Sequence, residues 1–472
     1  TIIAEITART DDGIFRLPVD RIFTMKGFGT IVTGTLVSDH LKTGEDVQIL
    51  PQNISARIRG IQVHNRPEEE AWAGQRTAVN LQGIEKSAIV RGNVLVRPHT
   101  VWPTQRLDIA VDYLSANTKS LKNRALVRLH TGTNEIISRI ILLDTDELAP
   151  GQQGYAQLIL SEKDVVVAGD HFVLRSYSPV TTIGGGVIID PLPQKHKRFN
   201  RGAIEELMLL QKGTLPEKIT VILDRTGFKG TPLQQLAFRL GMKSRKIREV
   251  LDDLFSKKEA FLLDSEDTTV ISARFFNRLE EMIIYNLSGY HKKNPLKEGI
   301  PKEELKGSLA NDISQKLFNM VLNTLNKKET IVSNKDNVRL AKHQVELAGD
   351  LDALRQNIIG IYKTAGLMPP SLTDVINKFI DRKNKAQNIV SLMLKEGELI
   401  KINEELCFSG EILSKLRNDY KAMLIKDGKA TPASFKELTG LSRKYIIPLM
   451  EYFDMNKLTV RVGDHRVLRE KT

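Results

Sequence analysis

Residues 431–468 read TPASFKELTGLSRKYIIPLMEYFDMNKLTVRVGDHRVL, and this stretch sets the pattern for the C-terminal half of the chain. Thr431 is a capping residue type and Pro432 fits a first helical turn, so a short helix opens here. Gly440 ends it, and Ser442 can cap a second helix. There Ile446, Leu449, Met450 and Phe453 fall at i, i+3, i+4 and i+7, a stripe that must be buried. Pro448 removes one backbone donor inside that helix and is expected to kink it. Beyond it, TVRVGDHRVL alternates apolar and polar residues about Gly463-Asp464, a two-residue hairpin with glycine first. Two helices and a β-ribbon make one winged-helix unit. Arg443, Lys444 and Tyr445 are left over at the start of the second helix, and the hairpin presents Arg461, His465 and Arg466 beside them. From Glu411 onward there are 13 Lys+Arg against 8 Asp+Glu, a net of +5. Cations and an aromatic at a helix start, beside an arginine-bearing wing, suit a nucleic acid. The competing reading is a solvated basic face on a packing domain.

The unit recurs upstream. Pro232, Pro301, Pro370 and Pro432 each precede a helical stretch; a second helix follows, then a ribbon ending in TVIS, VRLA, LCFS or HRVL. A repeat of that size predicts four winged helices in series over 199–273, 274–346, 347–410 and 411–472. Only the last places Arg, Lys and Tyr together at its second helix. The first has a weaker version in Lys243-Ser244-Arg245-Lys246, and the middle two read as spacers.

Before residue 199 the texture is different. Residues 13–101 hold short β patterns punctuated by glycine (FRLPVDRIF, GTIVTGTLV, DVQILP, ARIRGIQV), which predicts a small barrel. Residues 102–198 repeat the theme as a second all-β unit. Lys26-Gly27-Phe28-Gly29 lacks the frame of a phosphate loop and reads as a barrel corner. Gly184-Gly185-Gly186 has no helix pattern after it and reads as a bulge or close backbone approach. The basic run Lys195-His196-Lys197-Arg198 marks a boundary, as solvated linker or RNA contact.

Composition narrows the function classes. At 472 residues, 41% hydrophobic and 27% charged, the chain should form several soluble domains. No apolar run approaches the ~20 residues of a membrane helix, and no signal-type start is present, so a cytoplasmic location is expected. The single cysteine, Cys407, excludes an intrachain disulfide framework and most zinc sites. No catalytic motif or metal-ligand spacing appears, and the nine histidines stand singly. The net charge of +12 is uneven: residues 1–198 carry 23 basic and 21 acidic side chains, the remainder 46 and 36. A polyanionic partner is therefore expected in the C-terminal part.

Two β-barrels followed by four winged helices is an unusual order, and it resembles the bacterial selenocysteine-specific elongation factor family. FRLPVDRIFTMKGFGTIVTGTL (15–36), AGQR (73–76), IGGGVIIDP (183–191) and SRKYIIPLMEYFD (442–454) carry the resemblance, which extends over essentially all of the chain. It implies two barrels like domains 2 and 3 of elongation factor Tu that hold selenocysteyl-tRNA. It further implies a last winged helix that grips the selenocysteine insertion hairpin of an mRNA at the ribosome. It also implies an aminoacyl pocket at Asp20, Arg21 and Arg76. A selenol ionises below neutral pH while a serine hydroxyl stays neutral, so two guanidiniums steadied by a carboxylate could separate the two. The alternative is an Asp–Arg ion pair bracing the barrel.

The family's GTPase motifs are missing from the sequence; Asn334-Lys335-Asp336-Asn337 has its Asp one place early. With Thr at position 1, residues 1–12 are expected to be the remnant of a connection from a GTPase domain. This chain, expected as a monomer without membrane contact, should then carry no cofactor, GTP and Mg belonging to that other domain. The rival from another class is a winged-helix DNA-binding regulator, which usually pairs as dimers on half-sites.

Overall fold

The computed structural model describes residues 13–25, 29–294, 297–343 and 349–469. The expected GTPase remnant at 1–12, the first three residues of the 26–29 corner and the boundary at 346 lie outside the described residues. Two compact units emerge. One runs up to Met282 and takes in Leu309–Thr324; the other joins Ile283–Ser308 to the residues from Leu325 onward.

In the first unit, six strands close into the first barrel. Their order around it is Asp46–Leu50, Val94–Val96, Arg16–Met25, Gly29–Thr35, Arg76–Gln82 and Ile54–Val63, which returns to pair with Asp46–Leu50. Side chains alternate across each strand, so every second residue enters the core. In Ile54–Val63 the buried set is Ala56 and Ile58, then Ile61 and Val63. The alternation slips by one because a bulge lies between Ile58 and Gly60. The second barrel closes through Thr104–Tyr113, Gln153–Asp164, Asn134–Leu142, Leu126–Thr131, His171–Ser176 and Thr182–Asp190. Its three glycines answer to close backbone approach. A Cβ at Gly184, Gly185 or Gly186 would lie 2.6, 2.8 or 2.0 Å from the carbonyl oxygens of Asp112, Phe172 and Ala110. Any side chain there would force neighbouring strands apart.

In the 195–198 run Lys195 and Lys197 are exposed, whereas His196 and Arg198 are tied to the second barrel. His196 Nε2 lies 2.7 Å from the fully buried carboxylate of Asp108. Arg198 donates to the Leu142 carbonyl (2.8 Å) and pairs with Asp146 (2.6 Å). The helices that follow, Arg201–Lys212 and Leu215–Thr226, pack onto the barrel through Leu143, Tyr155 and Ile189. Asp190 at the barrel's last strand receives Arg239 (2.5 Å) and Arg225 (3.0 Å). Burial alone would raise its carboxyl, but Arg239 and then Arg225 hold it below the ordinary carboxylate value.

Helix, helix and ribbon alternate from there on, with winged-helix topology. Helices Leu233–Leu240, Lys302–Gly307, Leu372–Asn377 and Pro432–Thr439 follow the four prolines or, in the last case, start on one. The ribbon strands Thr269–Ser272, Asn337–Leu340, Cys407–Ser409 and His465–Leu468 fall where the sequence placed them. Ribbons run straight into helices: Ser272 into Ala273–Lys293, and Ser409 into Gly410–Asp427. The expected division at 410/411 cuts through one core. Leu406 and Phe408 share a buried cluster with Leu413, Tyr420, Phe435 and Phe453.

Two of the histidines that stand singly in sequence meet in the second unit. His291 and His343 stack with ring centroids 3.7 Å apart. His291 Nε2 accepts from the Leu340 N–H at 3.3 Å, while its buried Nδ1 has no partner. Burial first, then the charges of His343 and Arg339, pushes the His291 pKa down to about 4. A histidine whose folded pKa lies below its unfolded value of about 6.5 takes up protons more readily when unfolded. Its stability contribution is complete above pH 6.5 and falls away as pH drops towards 4. His291→Gln keeps an acceptor for Leu340 but cannot titrate. Calorimetric scans at pH 7 and 4.5 are expected to show a larger drop in wild type than in this variant; equal drops would refute the account.

Candidate functional site

The expected barrel residues converge. Along the strand pair Arg16–Met25 and Gly29–Thr35, Val19 pairs with Gly34 and Arg21 with Thr33, so Asp20 is the extra residue of a bulge. The bulge needs Gly34, because a Cβ there would lie 2.2 Å from the Pro18 carbonyl oxygen. It turns Asp20 towards the next strand. Thr33 Oγ1 donates to Asp20 Oδ1 at 2.6 Å, and Arg76 Nη1 reaches Oδ2 at 2.5 Å. Burial would raise the Asp20 carboxyl, but the Thr33 and Arg76 hydrogen bonds and the charges of Arg76 and Arg21 leave it below its ordinary value. Asp20 is therefore ionised throughout the neutral range. Arg21 is exposed, and the Arg76 side chain stays 52% exposed, so its remaining N–H groups face outward. Two guanidiniums and one carboxylate give this patch a net positive charge.

Sequence reading passed over what lies beside it. Val63, His64, Arg66, Glu68, Glu69, Glu70, Trp72 and Gln75 line an open cleft of about 820 Å³. Trp72 is half exposed and lies against the His40 ring at 5.1 Å. The only signal was the unusual EEEAW run directly before AGQR.

In the C-terminal unit, Thr431 caps Pro432–Thr439 by accepting from the Ser434 N–H, and Gly440 closes it in the left-handed region. Arg443–Met455 runs through Pro448 as one helix and buries Ile446, Leu449, Met450 and Phe453, as the stripe required. Thr459–Val462 and His465–Leu468 flank the two-residue Gly463-Asp464 turn, with Gly463 at φ 61°. Arg443 and Lys444 are exposed at the helix start; Lys444 lies 3.8 Å from Glu405, both mostly in solvent. Tyr445 is half buried against the hydrophobic cluster. Arg461 is exposed, its Nε donating to the Gly463 carbonyl at 3.1 Å, and His465 is partly exposed.

Arg466 does not belong with them. It is only 4% exposed, its Nε donates to Asp454 Oδ2 at 2.8 Å, and its backbone pairs with Ala430. The phosphate contact expected of it is replaced by a tie between wing and helix. Lys243 is likewise spoken for, its ammonium 2.8 Å from Asp39 on the first barrel, while Arg245 beside it stays in solvent and faces Glu249 at 3.5 Å.

Comparison with known proteins agrees with this architecture. Residues 29–96 match the model described as elongation factor Tu domain 2, and 108–195 the beta-barrel domain of selenocysteine-specific elongation factor. Residues 285–340 and 422–468 match models described as elongation factor SelB, winged helix. The selenocysteine-specific elongation factor of Desulfomicrobium baculatum is 35% identical over 459 residues, 97% of this chain and 72% of that protein. Its counterpart from Escherichia coli (strain K12) is 24% identical over 97% of this chain and 70% of its own length. Among solved structures, a crystal structure of the bacterial selenocysteine-specific elongation factor EF-Sec aligns over 99% of this chain and 71% of its own, with a TM-score of 0.56 at 22% identity, which supports the shared fold. Barrels, winged helices and a 35% identical relative matched over most of its length lead to one conclusion: the chain belongs to the selenocysteine-specific elongation factor family.

Proposed function

We propose that this chain is the part of its factor that holds both RNAs: the barrels carry selenocysteyl-tRNA, and the last winged helix anchors the insertion hairpin of the mRNA near the ribosome. The count of four winged helices, over 199–273, 274–346 and two more that share one core across 410/411, is part of the same reading. So are the barrel limits 13–101 and 102–198. GTP and Mg, required of a translational GTPase, would be bound outside residues 1–472, and cytoplasmic action as a monomer is part of the same proposal. Family membership removes the reason for the DNA-regulator alternative.

The observation that carries the mRNA half is the sorting of cations in the last unit. Arg466 is used internally, whereas Arg443, Lys444 and Arg461 remain on the outside beside Tyr445. A-form RNA hides its major groove from side chains, so a reader must use phosphates and unpaired bases. Arg443→Ala is expected to weaken every RNA and lower the salt slope of binding by about one unit. Tyr445→Ala should hurt mainly the cognate hairpin, by the roughly 1–3 kcal/mol of one stacked base, and leave the slope alone. Hairpin titrations at several salt concentrations, with melting temperatures alongside, check both. Tight duplex-DNA binding matching that of the hairpin at physiological salt would sink the anchor reading.

A further inference from the structure

The first winged helix touches both barrels, and one short stretch of it makes the contacts. Phe238, in helix Leu233–Leu240, is fully buried among Ile14, Leu50, Val94 and Val96 of the first barrel and Val165 and Val167 of the second. Its ring also meets Trp102, in the connection between the barrels, with centroids 5.3 Å apart. Beside it, Arg239 pairs with Asp190 of the second barrel at 2.5 Å. Gly241 follows at φ 65°, where a Cβ would lie 2.4 Å from the Ala168 carbonyl oxygen of the same barrel. Two residues on, the Lys243 ammonium lies 2.8 Å from Asp39 of the first barrel. Residues 238–243 thus reach the seam, the second barrel and the first.

The barrels also meet directly. Arg16 donates twice to Asp170, at 2.5 and 2.7 Å, and Thr133 Oγ1 donates to the Val19 carbonyl at 2.8 Å. Polar ties of this kind fix points. A ring that fills the seam does more, because walls packed at crystal-like density around it can neither close nor rock. Lys243 acts at a sensitive place as well. Its partner Asp39 also receives Arg97, the first residue after strand Val94–Val96, and Arg97 donates to the His40 carbonyl at 3.0 Å. The tie is therefore made where the connection between the barrels begins.

We infer that Phe238 and Lys243 are positioning residues for aminoacyl-tRNA: the first winged helix clamps the two barrels at the angle at which one tRNA touches both. The inference rests on the reading that the barrels carry the tRNA. Two contacts to one rigid ligand reinforce each other only where their spacing matches it. On this account the first winged helix serves the tRNA rather than the mRNA, although it shares the topology of the last.

The test uses the whole chain joined to an active GTPase domain, with Phe238→Ala, Lys243→Met and Lys243→Arg. Spin labels at Ser55→Cys and Glu162→Cys, both exposed and on different barrels, read the inter-barrel distance, while the native Cys407 is buried. Wild type should give one narrow distribution and Phe238→Ala a broad one. Lys243→Met should fall between them, and Lys243→Arg should narrow it again. Selenocysteyl-tRNA should bind about tenfold more weakly to Phe238→Ala and about threefold more weakly to Lys243→Met, with Lys243→Arg restoring it. Seryl-tRNA should lose by the same factors, because the angle changes and the aminoacyl pocket does not. Affinity for the insertion hairpin should stay unchanged. Lys243→Met decides the matter where Phe238→Ala fails to fold: Lys243 and Asp39 line an open cavity of about 360 Å³, so their tie is separable from the packed core. An unchanged distance in the variants would overturn the clamp, and a broadened one with unchanged tRNA affinity would overturn the positioning role. Failure of wild type to bind tRNA is a different result, which removes the tRNA reading of the barrels and this inference with it.

Discussion

Replacing Arg76 by alanine is expected to erase most of the preference for selenocysteyl-tRNA over seryl-tRNA. Hydrogen bonds to charged groups contribute roughly 1.5–3 kcal/mol each, so the loss should be on the order of ten- to a hundredfold. Seryl-tRNA, whose hydroxyl stays neutral, should lose far less. The position of Asp20 sharpens the expectation. Its carboxylate holds Arg76 at 2.5 Å and Thr33 at 2.6 Å, so Asp20→Asn should leave the guanidinium in place less firmly and weaken discrimination in part. Competition binding of the two aminoacyl-tRNAs, with the chain joined to an active GTPase domain, measures this. Equal losses for both tRNAs would reduce the trio to a barrel brace with general tRNA affinity. Melting temperature is the safeguard, and with Arg76 half exposed the ion pair itself should contribute little to stability.

The second large effect belongs to Arg466, and it is one of stability. Arg466 is buried but the Asp454 side chain is 22% exposed, so losing the pair should cost towards the lower end of the about 3–5 kcal/mol of a fully buried one. Arg466→Ala would leave Asp454 with only the Thr459 hydroxyl (2.5 Å) and detach the wing from the recognition helix. In a unit of this size the transition should fall by about 15 °C or more. Hairpin binding should then fail near physiological temperature and recover on cooling, with its salt slope unchanged. Arg443→Ala should show the reverse pattern, a lower slope at an unchanged melting temperature. If Arg466→Ala lowers the slope and leaves melting alone, Arg466 is the phosphate contact that the sequence suggested.

These two arginines show where the sequence stopped informing. The stripe of Ile446, Leu449, Met450 and Phe453 was legible because helical period is local, and a face with that much apolar surface has only one place to go. The strands of both barrels and the Gly463-Asp464 turn were readable for the same reason. Alternation in TVRVGDHRVL was also correct in period, but its phase is inverted. Thr459 and Arg466 face inward, while Val460 and Val462 are 44% and 48% exposed. A ribbon's period is fixed by its backbone, but which face turns inward depends on what packs against it, here Asp454 at the end of a helix.

The fate of charges was likewise undecidable from spacing. Lys243 and Lys383 sit at similar helix starts, yet one is neutralised by Asp39, 204 residues away in the chain, and the other meets no described carboxylate. By contrast Asp20, Arg21 and Arg76 were nameable only through the family resemblance, because nothing local announces that a bulge will turn Asp20 across two strands to Arg76. The sequence by itself determined the elements, their order and the buried stripes, since those follow from short-range periodicity. Tertiary structure alone decided which polar residues pair, because Coulomb attraction and burial act between groups that only folding brings within a few ångströms.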